Sequence, residues 1–486
     1  MTQAEWPMAR TYLDDVWSTL GGNPSYLDDV HISGEGELQS PYAITDLAAA
    51  SFATIGAALR ELLGESGAAA PTVRVDRRMS ASWYYMMGPA VPLAAEKRSA
   101  HNFRPFRTAD GRLLRVQSGY YVTQRRRLIE ALEVGEDHDA MAAVVEKHNS
   151  DEIVEYLVSR GVAAAVNRSV DEWRQHPAGR AVAKEPIVGV TVHPSDVTTS
   201  WRPLPGRPLA GIKVLDLTRV VAGPTATRFL AACGAEVLRL DAPGSDEAKT
   251  PYGGGSLLWL GKRLALLDLK SAEGLAQFRR LLADADVLVH GYRPGGIDEI
   301  ISEEERRRIK PNLVEVALRA YGWEGPWKMR RGFDTITQWG SGMCDETQAW
   351  ALADPERRLP LDQMGELVDA SIPRHLVASA LDVGAGYHMA ASAIRGLTRR
   401  LTTGAGSTSR LSLARTATML IEAPRVEASE WMKLPVRERV GERVYWDPNA
   451  GPSRRAAMPV ELTDNVLYWD RGVEGMGASR PVWSFA

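Results

Sequence analysis

The sequence has few cysteines, little net charge and no long apolar run. Two cysteines among 486 residues, Cys233 and Cys344, exclude a disulfide framework and a zinc site built on cysteines. A net charge of -3 provides no basic surface for nucleic acid or for an anionic membrane. No run approaches the ~18 apolar residues of a membrane span, and the first ten residues lack the apolar core of a signal peptide. We therefore expect a cytoplasmic protein without nucleic-acid or membrane partners.

The composition is otherwise that of a globular protein with more than one domain. Apolar residues make up 44% and charged residues 24% of the chain, and both values are ordinary for globular proteins. At 486 residues the chain is long enough for two or three domains. It contains no G-x-G-x-x-G loop, Walker A loop, G-x-S-x-G elbow or H-E-x-x-H helix, which excludes the enzyme classes that these motifs mark.

Residues 209 to 296 alternate between strand-like and helix-like patterns. Short apolar runs predict buried parallel strands, and a break at Gly223-Pro224 is followed by a predicted helix. Ser271 precedes a second helix, whose apolar residues fall on one face. The predicted strands are Ile212–Leu217, Val237–Leu240, Ala265–Leu269 and Val287–Val289, and the first predicted helix is Ala226–Cys233. Such alternation is typical of an α/β fold.

Three sequence blocks in this region resemble one known family. They are D-L-T-R-V-V-A-G-P from Asp216, G-K-R-L-A-L-L-D-L-K from Gly261 and A-D-V-L-V-H-G-Y-R-P-G from Ala285. In this order and spacing they resemble the family III CoA-transferases, the group that includes formyl-CoA transferase and the carnitine CoA-transferases. The resemblance implies an α/β fold, with a Rossmann-like, mainly parallel sheet in a large domain and a smaller α+β domain. It also implies an acyl-CoA and a carboxylic acid as substrates, with no permanently bound cofactor and no metal.

The family's segments follow one another in an unusual order along this chain. Segments similar to the family's C-terminal half occupy residues 40–190, whereas the CoA-binding half begins near Leu209. The pattern of an aspartate, an apolar helix and a strand occurs after Asp46 and again from Leu381–Leu397 onward. We interpret this order as a fusion of two truncated family units, joined at the Pro-rich Trp201–Gly211. Family members form interlocked homodimers, so a homodimer is expected here.

The predicted domain division has four parts. Residues 1–74 form an N-terminal segment whose helix, Ser40–Leu63, is expected to pack on the large domain. Residues 75–200 form the small α+β domain, residues 205–420 the CoA-binding large domain, and residues 421–486 a C-terminal tail. The tail is rich in Pro, Arg, Trp and Tyr without a clear period, and the sequence leaves its structure open.

The resemblance implies that Asp382 is the catalytic residue, because it begins an apolar, glycine-rich helix. In the family such a carboxylate attacks a thioester, giving an anhydride and then an aspartyl-CoA thioester. Gly384 and Gly386 are expected to let the thioester approach the backbone, and N–H groups at the helix start are expected to stabilise the oxyanion. Two alternatives stay open: Asp382 is only a helix cap, or Asp46 in the first unit is the nucleophile.

Further site residues follow from the resemblance alone. The backbone of Val221 and Ala222 would lie along the nucleotide, and Leu267 and Lys270 would flank its adenosine phosphate end. The implied pantetheine path and thioester end consist of Gly291, Tyr292, Arg293, Arg331, Gly332, Phe333 and Asp334. A cation at Lys270 or Arg293 suits a ligand that carries several negative charges.

Two parts of the site are not supplied by these residues. Glu299 occupies a place where the family often has an arginine near the phosphates, and Ala242 likewise lacks a cation. The replacements expected from the first unit are Arg78, Arg104 and Arg107. An apolar acyl pocket is expected to be lined by Trp339, Met343 and Trp350. The identities of the donor and acceptor acids stay open.

Two other functions are compatible with the resemblance. A racemase of 2-methylacyl-CoA shares the fold but resembles G-H-D where this chain has Gly332-Phe333-Asp334. Phenylalanine cannot supply the second acid/base group that racemisation needs, which favours the transferase. The other alternative is a CoA-binding subunit without activity. It would be favoured if Asp382 lay far from Lys270 and the loop at Arg331, whereas a shared cavity would favour the transferase.

Overall fold

The computed structural model of this protein describes most of the chain. The described residues are 6–86, 104–119, 121–245, 257–291, 295–357, 371–428, 431–432, 440–448 and 451–484. Their helices are α1 (Pro7–Leu20), α2 (Ile44–Glu65), α3 (Arg77–Met86), α4 (Val122–Leu132), α5 (His138–Val145), α6 (Ser150–Ser159), α7 (Val170–Gln175), α8 (Pro177–Ala183), α9 (Ala222–Ala232), α10 (Ala272–Asp284), α11 (Glu303–Ile309), α12 (Asp334–Gly340), α13 (Met343–Leu352), α14 (Ala380–Thr403) and α15 (Leu413–Glu422). Their strands are β1 (Val30–Ser33), β2 (Val73–Asp76), β3 (Phe106–Arg107), β4 (Leu113–Val116), β5 (Ala164–Val166), β6 (Gly189–His193), β7 (Lys213–Leu217), β8 (Glu236–Asp241), β9 (Arg263–Leu266), β10 (Val287–His290), β11 (Val314–Arg319), β12 (Gly406–Ser412), β13 (Val440–Asp447), β14 (Gly451–Ala456) and β15 (Val460–Leu462).

The largest sheet has seven strands in the described part of the chain, in the order β6-β12-β11-β10-β7-β8-β9. Neighbouring strands run parallel except at the edge, where β6 pairs antiparallel with β12. Alternate side chains of β7 face opposite sides: Val214 belongs to the core that contains α9 and α14, and Leu215 packs with α10. Burial of both faces explains why β7 carries apolar side chains on both sides of the sheet. The sheet confirms the predicted α/β class.

Three of the four strands predicted in this region, β7, β8 and β10, match the structure to within one residue at each end, but two other boundaries are wrong. Strand β9 ends at Leu266 because its partner β8 ends at Asp241, although the apolar pattern continues to Leu269. Helix α9 begins at Ala222, four residues before its predicted start. Pro224 lies in the first turn, where its missing N–H interrupts no helical hydrogen bond. The Gly-Pro pair therefore begins the helix instead of breaking the chain.

A second, smaller sheet lies within the predicted small domain. It has the order β3-β4-β5 with antiparallel pairs, and the turn between β3 and β4 contains the predicted Asp110-Gly111. Helices α4, α5 and α6 cover it and share a separate apolar core. The flanking elements belong elsewhere, since β2 pairs with β1 and β6 joins the large sheet. The limits of this sheet therefore do not coincide with residues 75 and 200, and the four-part division stays a prediction.

Helix α2 is buried along most of its length between α1, α3 and α14. Among the described residues it is the helix long and apolar enough to cross a bilayer, with 89% of its most apolar stretch buried inside the protein. Its many alanines let α14 approach closely, so burial by neighbouring helices accounts for the apolar composition.

Helices α2 and α14 begin in the same way. The residue before α2, Ala43, has φ -73° and ψ 56°, and the residue before α14, Ser379, has φ -73° and ψ 59°. Each helix is followed by a strand and another helix, β2–α3 and β12–α15. Both strands lie between one parallel and one antiparallel neighbour. Asp46 and Asp382 are the third residue of their helices, so the structure places the two aspartates in matching local settings.

The described part of the C-terminal tail packs against both halves of the chain. Strand β15 extends the sheet of β1 and β2. The indole N–H of Trp469 donates to the carbonyl of Arg228 in α9 at 2.9 Å, and that of Trp483 donates to Leu281 in α10 at 3.2 Å. Both indole rings are buried, so these residues form part of the core.

Candidate active site

A cavity of about 690 Å³ opens at the carboxyl ends of the parallel strands. Its walls are the residues that follow β7, β8, β9, β10 and β11, together with the start of α14. Tyr121, Gln124 and Arg127 close it from the side of the small sheet. Ligands of α/β proteins bind outside the carboxyl ends of such strands. The cavity therefore lies where the fold predicts a ligand, between the large sheet and α4.

The cavity brings together most of the residues implied by the sequence blocks. Eight of them line it: Ala222, Leu267, Lys270, Gly291, Arg331, Gly332, Phe333 and Asp382. Val221 and Asp334 are buried next to lining residues instead. Tyr292 and Arg293 lie outside the described residues. Asp382, Lys270 and Arg331 share one cavity. An inactive CoA-binding subunit would be favoured if these residues lay far apart, so their shared position favours an active enzyme.

Asp382 is a nearly buried carboxylic acid at the start of α14. Its exposure is 6%, and it is part of the cavity wall. Burial raises the pKa of Asp382 well above its usual range, and the nearby Asp334 carboxyl raises it further. Carboxylates with a raised pKa in a cavity are candidates for catalysis. The setting of Asp382 therefore differs from that of an exposed helix cap.

Asp334 holds the first turn of α14 from the neighbouring helix α12. One of its oxygens, Oδ2, accepts the backbone N–H groups of Leu381 and Asp382, both at 2.9 Å. The other, Oδ1, accepts the side-chain amide of Gln338. Burial raises the pKa of Asp334 to about 6, although these hydrogen bonds act in the opposite direction. Asp334 thus orients the residue that carries the candidate nucleophile.

The start of α14 does not provide the predicted oxyanion donors. The N–H groups of Leu381 and Asp382 are paired with Asp334. The N–H of Val383 donates to the carbonyl of Ser379 at 2.9 Å, and that of Ala380 donates to Ala378 at 2.8 Å. Since each of these donors already has an acceptor, the prediction for this helix start is wrong.

Gly384 and Gly386 serve helix packing rather than approach of the thioester. A Cβ atom on Gly386 would lie 2.4 Å from the carbonyl oxygen of Ala222, and one on Gly384 would lie 3.2 Å from the hydroxyl of Tyr84. No real Cβ approaches another atom as closely as 2.4 Å. The absence of a side chain at Gly386 therefore allows α14 to cross α9 at the cavity wall.

Asp46 has a structural partner and does not line the cavity. Its Oδ1 accepts the Nε–H of Arg77 at 2.7 Å, and the same guanidinium pairs with Glu37 and donates to the carbonyl of Gly36. The Arg77 side chain is fully buried. In the matching position after β12 the chain has Leu413, which lines the cavity. The first copy of the aspartate is therefore held in an internal ion pair.

Among the residues that the structure describes, six cationic side chains line the cavity: Arg127, Arg219, Lys270, Arg319, Arg330 and Arg331. Arg78, Arg104 and Arg107 are not among the lining residues, so the expected replacements from the first unit are wrong. In the described part of the first unit, the cation that lines the cavity is Arg127 of α4. The sequence feature that could have indicated Arg127 is the arginine-rich run Q-R-R-R-L in a helical pattern. A cluster of this sign suits a polyanionic ligand.

Part of the cavity wall is apolar. The rings of Tyr121 and Phe333 lie 5.1 Å apart, and Leu413 and Ala320 line the same cavity. The predicted acyl-pocket residues lie elsewhere: Trp339 and Met343 are fully buried, and Trp350 packs against Trp431. None of the described lining residues is a histidine, so this part of the structure offers no imidazole for racemisation. The described residues also contain no group of three or more His, Cys, Asp or Glu that could hold a metal ion.

Comparison with known proteins identifies the same region of the chain. Residues 209–454 match the sequence model of CoA-transferase family III. An acyl-CoA transferase of Gibberella moniliformis is 32% identical over 210 residues, which cover 41% of this chain and 36% of that protein. The acetyl-coenzyme A transferase nodX of Hypoxylon pulicicidum is 40% identical over 141 residues, covering 27% and 23%. The human succinyl-CoA:glutarate CoA-transferase is 34% identical over 151 residues, covering 29% and 34%. The chain thus spans about a quarter to a third of the length of these relatives.

Two solved structures are also similar in part. The crystal structure of Rv3272 from Mycobacterium tuberculosis is 26% identical with a TM-score of 0.35, covering 44% of this chain and 56% of that chain. A CAIB/BAIF family protein from Brucella suis is 25% identical with a TM-score of 0.36, covering 45% and 56%.

Proposed function

Because the chain belongs to CoA-transferase family III, we propose that it moves CoA between an acyl-CoA and a free carboxylic acid. The proposal includes an aspartyl-CoA intermediate on Asp382. The observation that carries it is the cavity whose described lining includes this nearly buried carboxyl, six cations and an apolar part of the wall. The cations suit the phosphates of CoA, the apolar wall suits an acyl chain, and the carboxyl is the nucleophile.

The proposed reaction exchanges carbon–sulfur and carbon–oxygen bonds without electron transfer. The Asp382 carboxylate attacks the donor thioester carbonyl, forming an anhydride as the CoA thiolate leaves. The thiolate then attacks the aspartyl carbonyl, forming the aspartyl-CoA thioester and releasing the donor acid as its carboxylate. The acceptor carboxylate repeats both steps in reverse and leaves as the new acyl-CoA. The energy of the thioester is kept at each step.

Intact mass spectrometry tests the proposal directly. The protein is incubated with a panel of acyl-CoAs, without an acceptor acid, and its mass is measured after rapid acid quenching. We expect one donor or more to add the mass of CoA, less water, to the chain. If CoA never becomes attached to the chain under conditions that support transfer, the aspartyl-CoA intermediate is refuted.

The pH dependence of kcat/KM should reflect the ionisation of Asp382 next to Asp334. Attack requires an ionised Asp382, whose pKa is raised by burial and by Asp334, so kcat/KM should fall as the pH drops through that raised pKa. Asp334→Asn removes the neighbouring charge and keeps an oxygen for the N–H groups of α14. The acidic limb of the profile should therefore move to lower pH. A limb that stays in place or moves to higher pH would show that Asp334 does not raise the pKa of Asp382.

The two-unit organisation and the homodimer are also proposals. The matched starts of α2 and α14 and the matched strand settings support a fusion of two related units. Parts of both units line the cavity, since Arg127 and Tyr121 precede residue 209 and Asp382 follows it. We expect a dimer in solution at micromolar concentration, with its mass measured by light scattering. A monomer under these conditions would contradict the dimer.

A further inference from the structure

The loop between β7 and α9 contains a strained residue at the cavity wall. Arg219, Val220 and Ala222 line the cavity, and Val220 has φ 68°. A β-branched residue seldom adopts this left-handed conformation because its side chain crowds the backbone. Such strain persists only where the surrounding structure holds it in place.

A buried carboxylate anchors the loop from below. Asp216 at the end of β7 is fully buried, and its Oδ1 accepts the backbone N–H of Thr218 at 2.9 Å. Its Oδ2 accepts the hydroxyl of Thr227 in α9 at 2.6 Å. One side chain thus connects the strand, the first residue of the loop and the helix that follows.

Lys262, just before β9, completes this anchor. It is fully buried, and its ammonium donates to Asp216 Oδ2 at 2.9 Å, to the carbonyl of Pro224 at 3.0 Å and to Thr227 Oγ1 at 2.5 Å. These three acceptors use all three of its N–H donors. Burial lowers the pKa of Lys262 to about 8, and the charge of Asp216 opposes that shift.

The loop is also closed sterically. A Cβ atom on Gly223 would lie 2.4 Å from the Cβ of Thr218, so the two ends of the loop are in direct contact. With its ends in contact and its base bonded to Asp216 and Lys262, the loop has little freedom. Val220 lies at its apex.

We infer that the Lys262–Asp216 pair is a positioning element of the CoA cavity. It holds residues 218–223, with Val220 in its left-handed conformation, as a preformed wall against which the ligand binds. The inference rests on the proposed function, because it takes CoA as the ligand of this cavity. It assigns a role to an aspartate and a lysine that belong to two separate sequence blocks. A preformed wall strengthens binding because no ordering is left for the ligand to induce.

The test uses the double variant Asp216→Asn/Lys262→Met in the full chain. Replacing both partners avoids leaving one buried charge without its counterion. The variant lacks the bond to Pro224, so CoA should bind about 10-fold more weakly by calorimetry, as expected when preorganisation is lost. KM for the acyl-CoA should rise in parallel while kcat changes less than about 2-fold.

A matched control separates positioning from general stability. The variant Glu61→Gln/Arg395→Met removes another buried ion pair, 2.5 Å long, which joins α2 to α14 and does not contact the loop. It should lower the melting temperature comparably and leave CoA affinity unchanged. If Asp216→Asn/Lys262→Met lowers only the melting temperature, the pair is merely structural and the inference is refuted.

Val220→Gly tests the strain itself. Glycine adopts positive φ readily and returns freely to other conformations, so CoA should bind more weakly without a fall in melting temperature. The control is Glu133→Gly at the end of α4, where Glu133 has φ 55°; its CoA affinity should not change. Unchanged CoA affinity in Val220→Gly would overturn the inference about the loop and leave the proposed function intact. If the unaltered protein binds no CoA, the proposed function fails and the inference with it.

Discussion

Replacement of Asp382 by asparagine should lower turnover by about 10³-fold or more while CoA still binds, because the amide keeps the shape of the side chain but is not a nucleophile. The side chain is 6% exposed, so water has little access to replace it as a nucleophile. Affinity for CoA should persist, since the cations of the cavity are unchanged. The measurements are kcat for CoA transfer, calorimetric binding of CoA and the intact mass after incubation with the donor.

The matched control for this variant is Asp46→Asn. It changes the same residue type at the matching place of α2, in a residue that does not line the cavity. It should keep the CoA adduct and most of the transfer activity at a temperature where the variant is folded. Loss of the adduct in Asp46→Asn, with retention in Asp382→Asn, would show that the two copies are assigned in reverse.

Arg77→Met should cause the largest loss of stability among these variants. The Arg77 side chain is fully buried and pairs with both Asp46 and Glu37. Removing Arg77 leaves the buried Asp46 and the half-buried Glu37 without their counterion, and loss of one partner of a buried pair costs about 3–5 kcal/mol. We expect a loss of this size in the free energy of unfolding, measured by chemical denaturation with two spectroscopic probes.

The double variant Arg77→Met/Asp46→Asn should recover part of that loss. It removes one of the two uncompensated charges, and Glu37 remains as the other. Recovery in the double variant identifies the charge on Asp46 as a source of the instability. If the double variant is less stable than Arg77→Met alone, the ion pair is not what stabilises this region.

The fold could be predicted where its determinants are local. Strands β7, β8 and β10 are short apolar runs because both faces of the sheet are covered, and each was located from that run alone. The ends of helices and strands that depend on a neighbouring element were not predicted correctly. Strand β9 ends where β8 ends, and Pro224 joins α9 because the first helical turn tolerates it.

The candidate active site likewise contains residues that local sequence motifs predicted and residues that only the tertiary structure places there. Motif resemblance identified Lys270, Gly291 and Arg331, and all three line the cavity. It did not identify Arg127, which reaches the cavity from a helix far away in sequence. The glycines after Asp382 matched the family pattern, but their function in packing against Ala222 depends on where α9 lies.

By itself, the sequence determined the family, the α/β class and two aspartates at equivalent helix starts, because periodicity and motifs are properties of short segments. Only the tertiary structure decided how those aspartates differ. Asp46 meets Arg77, 31 residues away, and its charge is neutralised in an internal pair. The backbone N–H of Asp382 donates to Asp334, 48 residues away. Burial, and after it the Asp334 carboxyl, raises the pKa of Asp382 at the cavity wall. Burial and charge partners distant in sequence set the chemistry of a carboxyl group, and only folding supplies both.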